Sequence, residues 1–134
     1  MPNRISKHYR IRFMAAIVTC LMCLPLHCGN VAAADSAQAR KDIKSMGLEY
    51  SGQDFAKAAG NGDMTAVQLF LDAGMDVNEG SGAAIGLAAG RGKVKMVQFL
   101  LSKGAKPTSN ALQFARTRGY QDIEKILVDA GAKE

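Results

Sequence analysis

The sequence predicts an all-α solenoid of stacked helix-turn-helix units, joined by short turns and closed at its start by a capping helix. Three observations predict it: three segments superimpose in one register, each segment holds two short helical patterns, and paired glycines recur at a fixed spacing. The first glycine of each pair is Gly62, Gly92 or Gly119, and the second, twelve residues later, is Gly74, Gly104 or Gly131. Such units bury their apolar faces by stacking on one another.

Residues 1–34 have the pattern of a cleaved signal peptide. Four basic residues without an acid precede an apolar run over residues 13–26, and small residues follow as far as Ala34. The run is shorter than the roughly 20 residues of a membrane span. We therefore expect cleavage after Ala34, a periplasmic or secreted mature chain, and no membrane contact after cleavage. The alternatives are an uncleaved anchor and lipidation at Cys28, which His27 before it disfavours.

The mature chain, residues 35–134, carries little of the chemistry that enzymes use. All cysteines and histidines lie in the leader, as do four of the 17 basic residues. The remaining 13 basic and 12 acidic residues give a net charge of +1. This composition excludes thiol catalysis, Ser–His pairs and the usual zinc sites, and it removes the basic charge that would indicate nucleic acid. We expect the mature chain to have no enzymatic activity and to bind neither a cofactor nor a metal ion.

Each element has its own local pattern. A capping helix is expected at 36–46, with Ile43 and Met46 facing inward, and repeats at about 50–79, 80–106 and 107–134. The second helix of each repeat carries an apolar stripe at i, i+1, i+4 and i+5. The second glycine of each pair suits a left-handed helix end. Ser51 and Ser109 are expected to cap first helices, and Asp63 to open a second helix.

The segments "AAGNGD", "VQFLLSKGA" and "FLDAGMDVN" resemble the ankyrin repeat, over about residues 47–134. The stretch "ARKDIKSMGLEY" also looks like the capped start of small secreted bacterial ankyrin proteins. The resemblance implies a protein-binding scaffold that uses its turns and first-helix edges. The family's Thr-Pro-Leu-His segment is replaced by "QDFA", "AAIG" and "NALQ", and the repeats are 30 and 27 residues apart instead of 33. We expect a stability at the low end of roughly 5–15 kcal/mol.

Glycine-rich and acidic stretches elsewhere suggest nucleotide or calcium sites, but their details do not fit. A Walker loop would need glycine at position 87 and Ser or Thr at position 94, where the chain has Leu87 and Val94. The stretch "GSGAAIG" lacks a strand before it. The acids of the first repeat are assigned structural roles at helix starts, turns and solvent-facing positions.

The expected contact surface follows the repeat register. Asn61, Arg91 and Arg118 stand immediately before the first glycine of each repeat, so stacking should align them. Residues 35–82 carry a net charge of −4 and residues 83–134 carry +5. We expect Arg91, Arg118 and Lys106 to receive acidic side chains of a protein partner; the alternative is a solvated rim. The full set of expected contact residues is Tyr50, Asn61, Val77, Glu79, Ser81, Arg91, Lys106, Thr108 and Arg118.

Tyr50 and Val77 are expected to anchor apolar groups of the partner, although Tyr50 suits a packing role equally well. The leading interpretation is therefore a monomeric, non-catalytic module of the bacterial periplasm that binds one protein. Alternatives are an inhibitor or immunity protein against a toxic enzyme, and an accessory factor for a periplasmic stress-response enzyme. A hydrolase is the least favoured.

Overall fold

The computed structural model describes residues 31–133, and residues 35–134 form one compact unit. The described part contains seven α-helices and no strand, which confirms the predicted all-α class. In chain order they are α1 (Val31–Ser45), α2 (Gly52–Asn61), α3 (Met64–Asp72), α4 (Glu79–Gly90), α5 (Val94–Ser102), α6 (Ser109–Thr117) and α7 (Gln121–Asp129). Residues 1–30 of the predicted signal peptide lie outside the described residues, whereas residues 31–34 begin α1, so the predicted cleavage after Ala34 falls within that helix.

The helices form three antiparallel pairs stacked side by side. In each pair, α2 contacts α3, α4 contacts α5, and α6 contacts α7. The first helices also contact one another, α2 with α4 and α4 with α6, so they form one continuous layer. The first-helix edges of consecutive repeats, which were expected to contact a partner, therefore lie next to one another.

The core is built from equivalent positions of the repeats, as the register predicts. Phe55, Ile85 and Leu112, seven residues before the first glycine of each pair, are at most 2 % exposed. In the second helices, Phe70, Leu100 and Leu127 are completely buried. Because residues 31–133 contain no cysteine, burial of such side chains is the main source of stability in this part of the chain. The last position of the predicted stripe is less buried than the others: Val128 is 46 % exposed, and the equivalent Leu71 and Leu101 are half-buried.

Helix starts are capped by side chains at three places. The Ser51 hydroxyl accepts a hydrogen bond from the Asp54 backbone N–H at 3.2 Å, and the Asp63 carboxylate accepts one from that of Ala66 at 3.0 Å. The third cap is Thr108 and not the expected Ser109, because the extended residue before α6 is one position earlier. Its hydroxyl accepts from the backbone N–H of Ala111 at 3.2 Å.

The capping helix α1 closes the first repeat with Ala39 and Ile43, which are 4 % and 1 % exposed. Met46 was expected to face inward, but it is 44 % exposed. The reason is that α1 ends at Ser45, so Met46 lies in the turn that follows and no longer on the inward helix face.

The turns between repeats are connected through Asn78. Its side-chain amide donates to the carbonyl of Gly104 at 3.3 Å, and its side-chain oxygen accepts from the backbone N–H of Lys106 at 2.8 Å. These two bonds join the turn after the first repeat to the turn after the second. They supply an inter-turn link in a chain that lacks the Thr-Pro-Leu-His segment.

Candidate functional site

The predicted row at the ends of the first helices begins with a direct contact. Arg91 Nη1 donates a hydrogen bond to Asn61 Oδ1 at 2.6 Å, so stacking brings these two equivalent positions together. Both side chains are exposed. Arg118 occupies the equivalent position at the end of α6 and is also exposed. The row therefore offers arginine side chains to solvent at the rim of the first-helix layer.

The stem of Arg91 lies across the preceding repeat. A Cβ added to Gly60 would be 3.4 Å from both Cδ and Nε of Arg91, and 3.2 Å from Cβ of Leu87. The absence of a side chain at Gly60 thus leaves room for the arginine to reach Asn61. The position of the guanidinium is determined by two consecutive repeats, not by α4 alone.

A cleft of 390 Å³ opens between the start of α4 and α6, on the first-helix layer. Its walls include Leu87 and Phe114, which are 38 % and 46 % exposed. Its lining residues are Gly80, Ser81, Gly82, Ala83, Gly86, Leu87, Thr108, Asn110 and Phe114. We call this the α4–α6 cleft. None of these lining residues is charged.

Leu87 and Phe114 were not among the residues expected from the sequence to contact a partner. A pattern that indicates them exists: both stand five residues before the first glycine of their repeat, where the first repeat has Lys57. Lys57 shows that the position faces solvent, since it is exposed. Large apolar side chains at a solvent-facing position of consecutive repeats indicate a binding surface.

The mouth of the α4–α6 cleft has an unusual backbone. Gly80, Ser81 and Gly82 are three consecutive residues with positive φ, at +65°, +58° and +79°. Ser81 is the one non-glycine residue with positive φ between residues 31 and 133. The regular part of α4 therefore begins only after Gly82. Ser81, an expected contact residue, lies at the cleft in a conformation that side chains disfavour.

Two of the expected contact residues have packing roles. Val77 is 9 % exposed and belongs to the hydrophobic core, which corrects the expectation that it forms an exposed apolar anchor. Its side chain packs into the core cluster, which leaves little of it for a partner to contact. Thr108 is half-buried, and its hydroxyl is used to cap α6.

Tyr50 combines packing with exposure. It is 39 % exposed, its ring stacks on Phe70 with 6.2 Å between centroids, and its hydroxyl donates to the carbonyl of Ala73 at 3.2 Å. The guanidinium of Arg40 lies 4.7 Å from the ring centroid. Tyr50 thus joins α1 to the end of α3. The remaining expected residues, Glu79 and Lys106, are exposed in the turns.

The acids of the first repeat have structural partners, as the sequence indicates. Asp54 accepts from the backbone N–H of Glu49 at 2.8 Å, and Asp63 caps α3. Asp72 accepts from the Gln68 side chain at 2.6 Å, and Asp76 from the backbone N–H of Asn78 at 2.8 Å. Over residues 31–133, His, Cys, Asp and Glu form no group of three that could hold a metal ion. No helix in that same range is long and apolar enough to cross a membrane.

Comparison with known proteins identifies the repeat. No curated protein and no solved structure matches the chain significantly. The model of the family "Ankyrin repeats (3 copies)" matches residues 55–134, which run from Phe55 within α2 through α7 and contain all three glycine pairs. Proteins of this kind are generally protein–protein interaction modules. The chain belongs to the ankyrin-repeat family.

Proposed function

We propose that this chain is a small, exported, non-catalytic module of the bacterial periplasm. It acts as a monomer and binds one protein partner through its repeat turns and first-helix edges. The family supports a protein partner in general. The leader pattern of residues 1–34 supports export, since a basic start, a short apolar run and small residues before Asp35 are typical of cleaved signals.

The composition of the mature chain supports a role without catalysis. Residues 35–134 contain neither His nor Cys, the residues that most often serve as general bases and nucleophiles, so carboxylates are the next groups to consider. The four aspartates of the first repeat named above are each engaged by a backbone or side-chain donor. Carboxylates held in this way serve as caps and turn residues.

The arginine rim is the observation that carries the proposed binding mode. Arg91 and Arg118 occupy equivalent positions of consecutive repeats, are exposed, and lie in the basic half of the domain. Guanidinium groups suit bidentate pairing with carboxylates. The proposed partner therefore presents an acidic patch to this rim.

Affinity capture from a bacterial envelope extract tests this function. The bait is residues 35–134, which contain the entire described core from Ala39 to Leu127. We expect one dominant bound protein, and at least about tenfold less of it on the Arg91→Glu/Arg118→Glu variant, because like charges would then oppose each other. The control, Lys95→Glu/Lys125→Glu, makes the same change of net charge at exposed residues of the second helices and should retain the partner.

Two results would overturn the proposal. One is the absence of any retained protein on the wild-type bait. The other is equal loss of the partner from both double variants, which would indicate attraction by net charge alone. Export is tested by N-terminal sequencing of the chain recovered from the periplasmic fraction, which should begin at Asp35.

A further inference from the structure

We infer that the α4–α6 cleft receives one large apolar side chain from an acidic segment of the partner protein. This inference rests on the proposed function and specifies the chemistry of the partner at one place. It adds an apolar site, with its own floor, walls and mouth, to the arginine rim, and it shares with the rim the acidic character of the partner. At each of these three places the chain has a residue or a conformation that is not needed for the stability of the repeat.

The floor of the cleft is Gly86, in the interior of α4. A Cβ added there would meet nothing within 4 Å, and its φ is not in the left-handed region. Neither packing nor backbone geometry therefore requires a glycine. The equivalent residues of the other repeats are Ala56 and Gln113. Since glycine destabilises a helix interior relative to alanine, the feature that Gly86 provides is the depth of the cleft.

The walls of the cleft are two apolar side chains held at the surface. Phe114 packs against the neighbouring repeat, since a Cβ at Gly90 would lie 3.5 Å from its Cβ. It is nevertheless 46 % exposed, and Leu87 opposite it is 38 % exposed. The two side chains thus leave apolar surface on both sides of an open space. A large apolar side chain entering that space would cover both.

The mouth of the cleft is formed by residues 80–82. Ser81 holds a positive φ of +58°, and Gly82 approaches the next repeat closely, since a Cβ there would be 2.8 Å from Cγ2 of Thr108. Backbone strain of this kind concentrates at ligand sites. Because of this strained turn, the regular helix of α4 begins only after Gly82, and no large side chain stands at the opening of the cleft.

The charges around the cleft indicate acidic flanking residues in the occupant. The backbone of Lys106, an exposed residue, lies beside the mouth, with its carbonyl oxygen 3.9 Å from the Cβ position of Gly82. Arg118, also exposed, follows Phe114 by four residues, about one helical turn, whereas Arg91 reaches from α4 to Asn61 of the first repeat. The acid nearest in sequence, Glu79, lies against the first repeat, its Cγ 2.9 Å from a Cβ at Gly52. An apolar residue between acidic neighbours therefore fits this surface.

A displayed library of random peptides tests the inference without knowledge of the partner. The library is selected on residues 35–134, and the selected peptides are then measured against four variants. Gly86→Leu fills the floor, and Phe114→Ser removes a wall. Gly86→Ala adds a methyl group and favours the helix. Val128→Ser is the matched control, because Val128 has the same 46 % exposure as Phe114 but lies in α7.

We expect the selected peptides to share one large apolar residue flanked by Asp or Glu. Their affinity should fall at least about tenfold on Gly86→Leu and on Phe114→Ser, as for loss of a central anchor, and stay unchanged on Val128→Ser. Gly86→Ala should raise the melting temperature while weakening binding. That combination separates filling of the cleft from damage to the fold.

The inference is overturned by the absence of a shared apolar–acidic motif, by binding that is indifferent to Gly86→Leu, or by equal losses on Phe114→Ser and Val128→Ser. Wild-type dimers that dissociate on Phe114→Ser would assign the cleft to a second copy of the chain. A protein captured from envelope extract and retained fully by Gly86→Leu would refute the cleft but leave the proposed function standing. A failed envelope capture would refute the proposed function, whereas the peptide selection reports on the cleft alone.

Discussion

The two junctions between repeats use equivalent glycines but different side chains. Between the first and second repeats, the aliphatic stem of Lys93 covers Gly62, with its Cδ 3.2 Å from where a Cβ would lie. Between the second and third, the ring of Tyr120 covers Gly92, at 2.9 Å from the corresponding Cβ position. Lys93 is exposed, whereas Tyr120 is half-buried.

The glycines two residues earlier, Gly60 and Gly90, also contact different types of side chain at the two junctions. Gly60 faces Leu87 and the stem of Arg91, with the Leu87 Cβ 3.2 Å from an added Cβ, whereas Gly90 faces Phe114, whose ring atom Cγ would lie 3.7 Å away. The first junction is therefore covered by aliphatic and basic chains and the second by aromatic rings. The comparison teaches that the repeat keeps its backbone turn while the contact chemistry changes. The backbone requires a glycine at both turns, but the neighbour decides how much a side chain there would cost.

The largest expected effect separates these two contributions at the turn glycine. Gly92→Ala should destabilise residues 35–134 by about 2–4 kcal/mol, because a side chain at φ +71° is strained and its Cβ would overlap the Tyr120 ring. Gly62→Ala has a similar φ of +82°, but Lys93 can move aside, so we expect about 1–2 kcal/mol. Urea denaturation measures both free energies of unfolding.

Gly74→Ala is the control for backbone strain alone, since its φ is +92° and a Cβ there would meet nothing within 4 Å. Gly74→Ala should lower the free energy of unfolding by about the same amount as Gly62→Ala. In a double-mutant cycle, combining Tyr120→Ala with Gly92→Ala should remove the part of the destabilisation that comes from overlap with the Tyr120 ring. Equal losses for Gly92→Ala and Gly74→Ala would remove the proposed difference between the junctions.

A smaller effect is expected at the starts of the second helices. Asp63 caps α3, whereas the equivalent Lys93 and Tyr120 make no side-chain cap. Asp63→Ala should cost about 1 kcal/mol, and Lys93→Asp should stabilise the domain by about 0.5–1 kcal/mol through a new cap. Thermal unfolding of the two variants beside the wild type checks both signs. A destabilised Lys93→Asp would mean that the stem of Lys93 over Gly62 matters more than a cap.

The smallest effect is expected for the hydrogen bond of the first junction. Arg91→Ala removes the 2.6 Å bond to Asn61, but both side chains are exposed, so the free energy of unfolding should change by no more than about 0.5 kcal/mol. Denaturant titration measures it, with Asn61→Ala as the partner variant. A loss well above this value would make the polar contact, and not the buried core, the main connection between the first two repeats.

Much of the fold could be predicted because the repeat register is a local property. The positions of Phe55, Ile85 and Leu112 follow from helical periodicity, and the left-handed turns at Gly74, Gly104 and Gly131 follow from glycine at a helix end. The cap at Ser51 and the contact between Asn61 and Arg91 follow from the same register. Positions one residue from an element boundary were harder: Met46 lies past the end of α1, and Thr108 caps α6 in place of Ser109.

The candidate surface was predicted less completely, since exposure depends on neighbours that are distant in the chain. Val77 reads as an exposed turn residue but belongs to the buried core. Leu87 and Phe114 read as ordinary helix residues, but the first-helix layer leaves them at an open cleft. For Leu87 and Phe114 only the repeat register indicates exposure, because the first repeat has Lys57 at the equivalent position, and nothing similar marks Val77.

The sequence by itself determined the all-α class, the number of repeats, their register and the basic character of the second half. These depend on spacing, backbone preference and composition, which act over a few residues. Only the tertiary structure decided that Lys93 and Tyr120 cover the turn glycines of the preceding repeat, and that Gly86 lies at the floor of a cleft. Those facts depend on how closely one repeat packs on the next, because the room around a side chain is set by atoms about 30 residues away.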